Sequence, residues 1–156
     1  MQAPLSQDMA ALYQEMIVDR ARAPRHAGVL EPADGAADGD NPFCGDRVHV
    51  TLRLAPQGGV AELRHRTRGC AICMASADLM ADAVDGLQRP AIVSLYERFG
   101  AMLRDGRSDS GDDMPGRLGL LTAFETLHEY RSRIRCATLP WTALLDAMAG
   151  PPGKDG

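Results

Sequence analysis

Aromatic side chains are scarce in this chain: one Trp, three Tyr and three Phe make up 4% of the sequence. Its core must therefore be built from Leu, Val, Ile, Met and Ala, and 156 residues suffice for one domain with a full core. Long apolar runs are lacking, and no signal-peptide pattern opens the chain, so a cytoplasmic protein without a membrane partner is expected. A basic surplus is lacking too. The formal net charge is −4, which argues against a general nucleic-acid binder. Arginines nevertheless cluster at Arg64, Arg66 and Arg68 and again at Arg131, Arg133 and Arg135, where they either meet an acidic protein partner or line solvated faces. Cysteine is confined to Cys44, Cys70, Cys73 and Cys136. In a reducing compartment such thiols read as metal ligands or reactive groups rather than disulfides.

The stretch Arg68-Gly69-Cys70-Ala71-Ile72-Cys73 organises the rest. Glycine permits a sharp turn, and the residues after Cys70 suit a helix from about Ala71 to Val84. Cys70 then sits near a helix N-terminus, where unpaired N–H groups favour a thiolate. Upstream, Arg47 to Ala55 alternates: Val48, Val50, Leu52 and Leu54 on one face, Arg47, His49, Thr51 and Arg53 on the other. That is a strand with one wet face. Pro56-Gln57-Gly58-Gly59 turns it back into a return strand, Val60 to Arg68, with Ala61, Leu63 and His65 inward. The hairpin brings Cys44-Gly45-Asp46 and Cys70 to the same end.

The remaining elements read as helices. Leu5 to Arg22 is amphipathic through Leu12, Tyr13, Met16 and Ile17, and Pro24 follows it. Pro32 to Asp40, rich in Ala, Gly and Asp without a period, reads as a loop approaching Cys44. Helices are expected at Ile92 to Leu103, Leu118 to His128, and Cys136 to Met148 with Pro140 in its first turn. An acidic, Gly-rich loop from Arg104 to Pro115 separates the first two. The expected organisation is one domain over residues 1–150 and a tail over 151–156.

Three thiols and Asp46 compose a set that suits tetrahedral zinc. Cys73 opens alternatives. Cys70-x-x-Cys73 is itself metal spacing and can replace Asp46 in an all-cysteine site. It also suits a redox dithiol, or Cys73 is a small apolar residue of the first helical turn. The four histidines read as surface or packing residues. Arg135 either stabilises a thiolate at Cys136, pairs with Asp46, or is an exposed base.

Three ordered motifs carry a resemblance: Asn41-Pro42-Phe43-Cys44-Gly45-Asp46, Gly69-Cys70-Ala71-Ile72 with Met74-Ala75-Ser76, and Arg135-Cys136-Ala137-Thr138-Leu139-Pro140-Trp141. Together with the Leu12-Tyr13 helix ending at Ala23-Pro24-Arg25, they resemble the IscU/NifU-like iron–sulfur cluster assembly proteins from about Leu5 to Leu145. Arg135, where IscU proper carries a histidine ligand, and the long acidic insertion before Cys136 resemble the SufU branch. Cys73, where the family usually has serine, and Arg131, where it usually has proline, depart from the pattern.

The resemblance implies an α+β fold, with a small antiparallel sheet of about three strands packed against several helices. It implies zinc held by Cys44, Asp46, Cys70 and Cys136, persulfide sulfur accepted from a SufS-like cysteine desulfurase, and delivery to a downstream Suf scaffold. Among the ligands Cys44 is the expected sulfur acceptor, because its Gly/Pro-rich turn can move while Cys70 and Cys136 are expected at helix starts. Such a protein is sulfurtransferase-like. Two other readings stand beside it: a scaffold that assembles a [2Fe–2S] cluster on the same residues, with Cys73 as a fourth thiolate, and a closed structural zinc module that docks partners.

Overall fold

The computed structural model describes residues 7–42, 45–106 and 118–149, with side chains from residue 14 onward. Cys44, the stretch 107–117 that makes up most of the acidic insertion, and the tail 151–156 lie outside the described residues. The chain runs α1 (Gln7–Arg22), β1 (Gly35–Asn41), β2 (Asp46–Leu54), β3 (Val60–Arg68), α2 (Ala71–Ala83) and α3 (Arg89–Asp105). A run of 3₁₀ turns (Gly119–Glu129) and α4 (Arg131–Met148) follow. The strands form one antiparallel sheet in the order β1-β2-β3, so the α+β fold with three strands is confirmed.

The expected alternation holds through most of the hairpin. Val48, Val50 and Leu52 of β2 and Leu63, His65 and Thr67 of β3 are buried on the inner face, against which α2 and α4 pack. The pattern breaks at the turn. A bulge between Arg53 and Leu54 shifts the register, so Leu54 and Ala61, both expected inward, are exposed. Four of the aromatic rings gather around Trp141 of α4. Trp141 packs against Tyr96 (centroids 6.2 Å apart) and Phe99 (5.3 Å), and Phe99 meets Phe124 edge-on at 5.9 Å. Among the described residues no helix is long and apolar enough to cross a membrane.

Three local expectations are corrected. Residues Gly35–Asn41, read as loop, form an edge strand paired with β2 from Gly35↔Leu52 to Asn41↔Asp46. No alternation announces this strand because α4 lies directly on it. A Cβ at Gly35 would collide with the Ala147 carbonyl, and one at Gly39 would stand 3.1 Å from Leu139 Cδ1 and 3.4 Å from Ala143 Cβ. Small residues are needed there, and they carry little strand propensity. Second, α4 starts at Arg131, so Cys136 lies inside a helix and Pro140 interrupts its middle. Pro140 lacks the N–H that would reach back four residues, a loss that its own burial and that of Trp141 beside it offset. Third, the helix expected over Leu118 to His128 takes the tighter 3₁₀ geometry.

Candidate metal centre

Two elements converge at the open end of the hairpin. Asp46 is the first residue of β2, and Arg68, the last residue of β3, pairs with its neighbour Arg47. Gly69 then turns the chain at φ +149°, and Cys70 caps α2 in extended conformation (φ −75°, ψ 166°). The Cys70 side chain does not cap its own helix. Instead its backbone N–H donates to Asp46 Oδ1 at 3.0 Å, and its Sγ lies 3.9 Å from Asp46 Oδ2. Gly69 makes this approach possible. A Cβ there would run into the Asp46 carboxylate, standing 2.8 Å from its Cγ and 3.0 Å from its Cα.

The third donor arrives from α4. One carboxylate oxygen of Asp46 and the sulfurs of Cys70 and Cys136 all lie within 4.8 Å of one another. Asp46 and Cys136 are fully buried, and Cys70 is half-buried. Burial pushes the Cys136 thiol far above the ordinary value of 9.0, and the neighbouring Asp46 and Cys70 push it the same way. A cation among the three would offset the crowding that opposes the Cys136 thiolate. In a tetrahedral zinc centre, thiolates at about 2.3 Å and a carboxylate at about 2.0–2.2 Å stand about 3.5–3.8 Å from one another. The donors need only small side-chain movements to close on such an ion, and the thiolate–carboxylate set fits zinc chemistry.

Of the residues singled out from sequence, the fold thus assembles Asp46, Cys70 and Cys136. Cys44 falls, by its place in the chain, within the short connection between the register partners Asn41 and Asp46. That connection is tightened by Gly45 N–H donating to the Asn41 carbonyl at 2.8 Å. Cys73 is fully buried among core residues of α2 and is absent from the three-donor group. Arg135 is exposed on α4, directly before Cys136.

Two supporting features were not foreseen. The Ser76 hydroxyl, fully buried on α2, donates to the Ala137 carbonyl at 2.5 Å, tying the helix that begins at Cys70 to the segment that carries Cys136. Further along α2, Asp78 accepts from Arg20 Nη1 (2.9 Å), the backbone N–H of Arg25 (2.9 Å) and of His26 (2.8 Å), and pairs with His65 Nε2 (2.9 Å). Burial alone would raise its pKa, yet hydrogen bonds from His65, the two backbone N–H groups and Arg20 hold the carboxyl well below the carboxylate range. This hub docks α1, the following loop and β3 onto α2. An aspartate on an otherwise apolar helix face was its one sequence signal.

A buried carboxylate and two thiols thus join a strand start, a helix cap and a second helix in one candidate metal site on an α+β fold. Residues 12–137 match the family described as the NifU-like N terminal domain, and the chain belongs to that family. It is 33% identical over 147 residues to the zinc-dependent sulfurtransferase SufU of Bacillus subtilis, covering 94% of this chain and 95% of the relative. It is 31% identical over 137 residues to the iron–sulfur cluster assembly scaffold protein IscU of Thermotoga maritima, covering 88% and 92% respectively. The N-terminal part of a NifU-like protein from Brucella abortus shares the fold at TM-score 0.77 and 24% identity, over 90% of this chain and 94% of that one. The expected membership among iron–sulfur cluster assembly proteins is thereby established.

Proposed function

We propose that this chain is a zinc-dependent sulfur acceptor of the SufU type, taking persulfide sulfur from a cysteine desulfurase and passing it to a Suf scaffold. The observation that carries the reading is the convergence of Asp46, Cys70 and Cys136 within 4.8 Å, a mixed carboxylate–thiolate set without histidine. The similarity to SufU over nearly the whole chain supports it.

Asp46, Cys70 and Cys136 are the residues that would hold zinc, with Cys44 completing the set. Bound zinc would keep the thiols deprotonated at neutral pH. Asp46 also fixes the Cys70 backbone through its hydrogen bond, so the donors on β2 and α2 keep their separation. Cys44, on the Gly/Pro-rich connection, is the acceptor. Its thiolate attacks the outer sulfur of the desulfurase persulfide, the donor S–S bond breaks, the donor cysteine leaves as a thiolate, and Cys44 carries the new persulfide. Arg135, exposed before Cys136, supplies positive charge toward the incoming anion.

The test is a Cys44→Ala chain, which retains zinc but no longer raises desulfurase turnover; unchanged stimulation refutes the acceptor assignment. The similarity to IscU favours a second reading, in which the same residues build a [2Fe–2S] cluster. Protein purified without air separates the two: about one zinc per chain without sulfide supports relay, whereas iron and sulfide near about two each support the scaffold.

A further inference from the structure

The outer face of the sheet carries a charge pattern that the metal centre does not use. In the row nearest the site Arg47 of β2 stands opposite Arg68 of β3, and in the next row His49 stands opposite Arg66. The like charges of Arg47 and Arg68, placed directly across the strand pair, weaken the sheet there. On the β1 side the acids answer in part: Asp38 Oδ1 meets His49 Nδ1 at 2.8 Å, and Asp40 lies 3.7 Å from Arg47. Arg66 and Arg68, both exposed, have no carboxylate partner among the described residues. Arg47, His49, Arg66 and Arg68, together with Asp38 and Asp40, line an open groove of about 360 Å³. Further along the sheet the same face is covered. Leu30 N–H donates to Thr51 Oγ1 at 3.0 Å, and Arg53 Nε donates to the Pro32 carbonyl at 2.9 Å. The face is therefore bare only at the end that adjoins Cys70.

We propose that this bare, basic end of the β2–β3 face is a docking strip for an extended acidic segment of a protein partner. The spacing selects the ligand. Rows two residues apart on a strand are about 6.6–6.8 Å apart, as are alternate side chains of an extended peptide. Carboxylates at every second residue of the segment meet Arg68 and Arg66 in turn. Because Arg68 lies two residues before Cys70, about 7 Å along the chain, a bound segment holds its protein against the metal centre. The inference rests on the charge pattern and is independent of whether the site relays sulfur or builds a cluster.

The test is fluorescence anisotropy with the full chain and a labelled heptapeptide bearing Glu at alternate positions. The peptide binds the unaltered chain. Its affinity falls about tenfold or more between about 50 and 300 mM salt and by a similar factor in the R66E/R68E double variant. The variant's Tm does not fall, because Arg47 then faces a carboxylate at position 68, and its zinc content is unchanged. Absence of peptide binding, equal binding by R66E/R68E, or stronger binding of a single-stranded DNA heptamer than of the peptide each overturns the proposal. If R66E/R68E does not fold, R66Q/R68Q takes its place with the same expected loss.

Discussion

Gly69→Ala isolates the contact on which the metal centre depends. At φ +149° a side chain is strained wherever it points, and here its Cβ would enter the Asp46 carboxylate. The Asp46 Cα, 3.0 Å from that Cβ, belongs to strand β2 and has little freedom to retreat. The carboxylate must swing away, breaking the 3.0 Å bond from Cys70 N–H. Backbone strain costs about 1–3 kcal/mol, and losing a charge-assisted hydrogen bond costs about 1.5–3 kcal/mol. A combined loss of about 3–5 kcal/mol is a large part of the usual 5–15 kcal/mol of domain stability, roughly. At about 2–4 °C per kcal/mol, Tm of the metal-free protein falls by about 10 °C. Zinc affinity, read by competition with a chromophoric chelator, falls by about 10–100-fold or more because a donor has moved. Gly45→Ala is the control: φ is +76°, but a Cβ there meets nothing within 4 Å, so it suffers strain without collision. A Gly69→Ala protein melting within about 2 °C of the parent, with unchanged zinc affinity, would refute the reasoning.

Asp78→Asn leaves Arg20 and His65 buried beside a neutral amide; Arg20 keeps a 2.7 Å contact to Asp82, so the cost falls at the lower end of about 3–5 kcal/mol. Because the folded carboxyl titrates below its ordinary 3.8, it stabilises the fold above that pH and loses this contribution as pH falls toward the lower folded value. The variant should therefore show a flatter acid limb in a plot of Tm against pH below about 4; an unaltered limb counts against the hub. Ser76→Ala removes the bond to the Ala137 carbonyl and costs about 1 kcal/mol, with a few-fold loss of zinc affinity because α2 and α4 are less firmly tied. An unchanged Tm together with unchanged chelator competition would contradict that role.

The hairpin, the buried face of most of it and the chemistry at its end were legible from local sequence. Alternation over Val48, Val50 and Leu52 is a local property, because successive strand residues must point to opposite faces. Gly69-Cys70 before a helical run was equally legible, since glycine's conformational freedom and a helix start are both local. The other features depend on how distant segments pack. Gly35–Asn41 became a strand only because α4 lies on it, and packing against a helix writes no period into Gly, Ala and Asp. Cys136 sits within α4 because the helix begins at Arg131, five residues ahead of it, on a turn whose residues are mostly exposed and carry no apolar period. The spacing of Cys70 and Cys73 allowed both as ligands, but the helix turns Cys73 into the core while Cys136, distant in sequence, reaches Asp46 and Cys70. Which thiols converge depends on how helices pack across the sheet, and that is decided by the whole core at once.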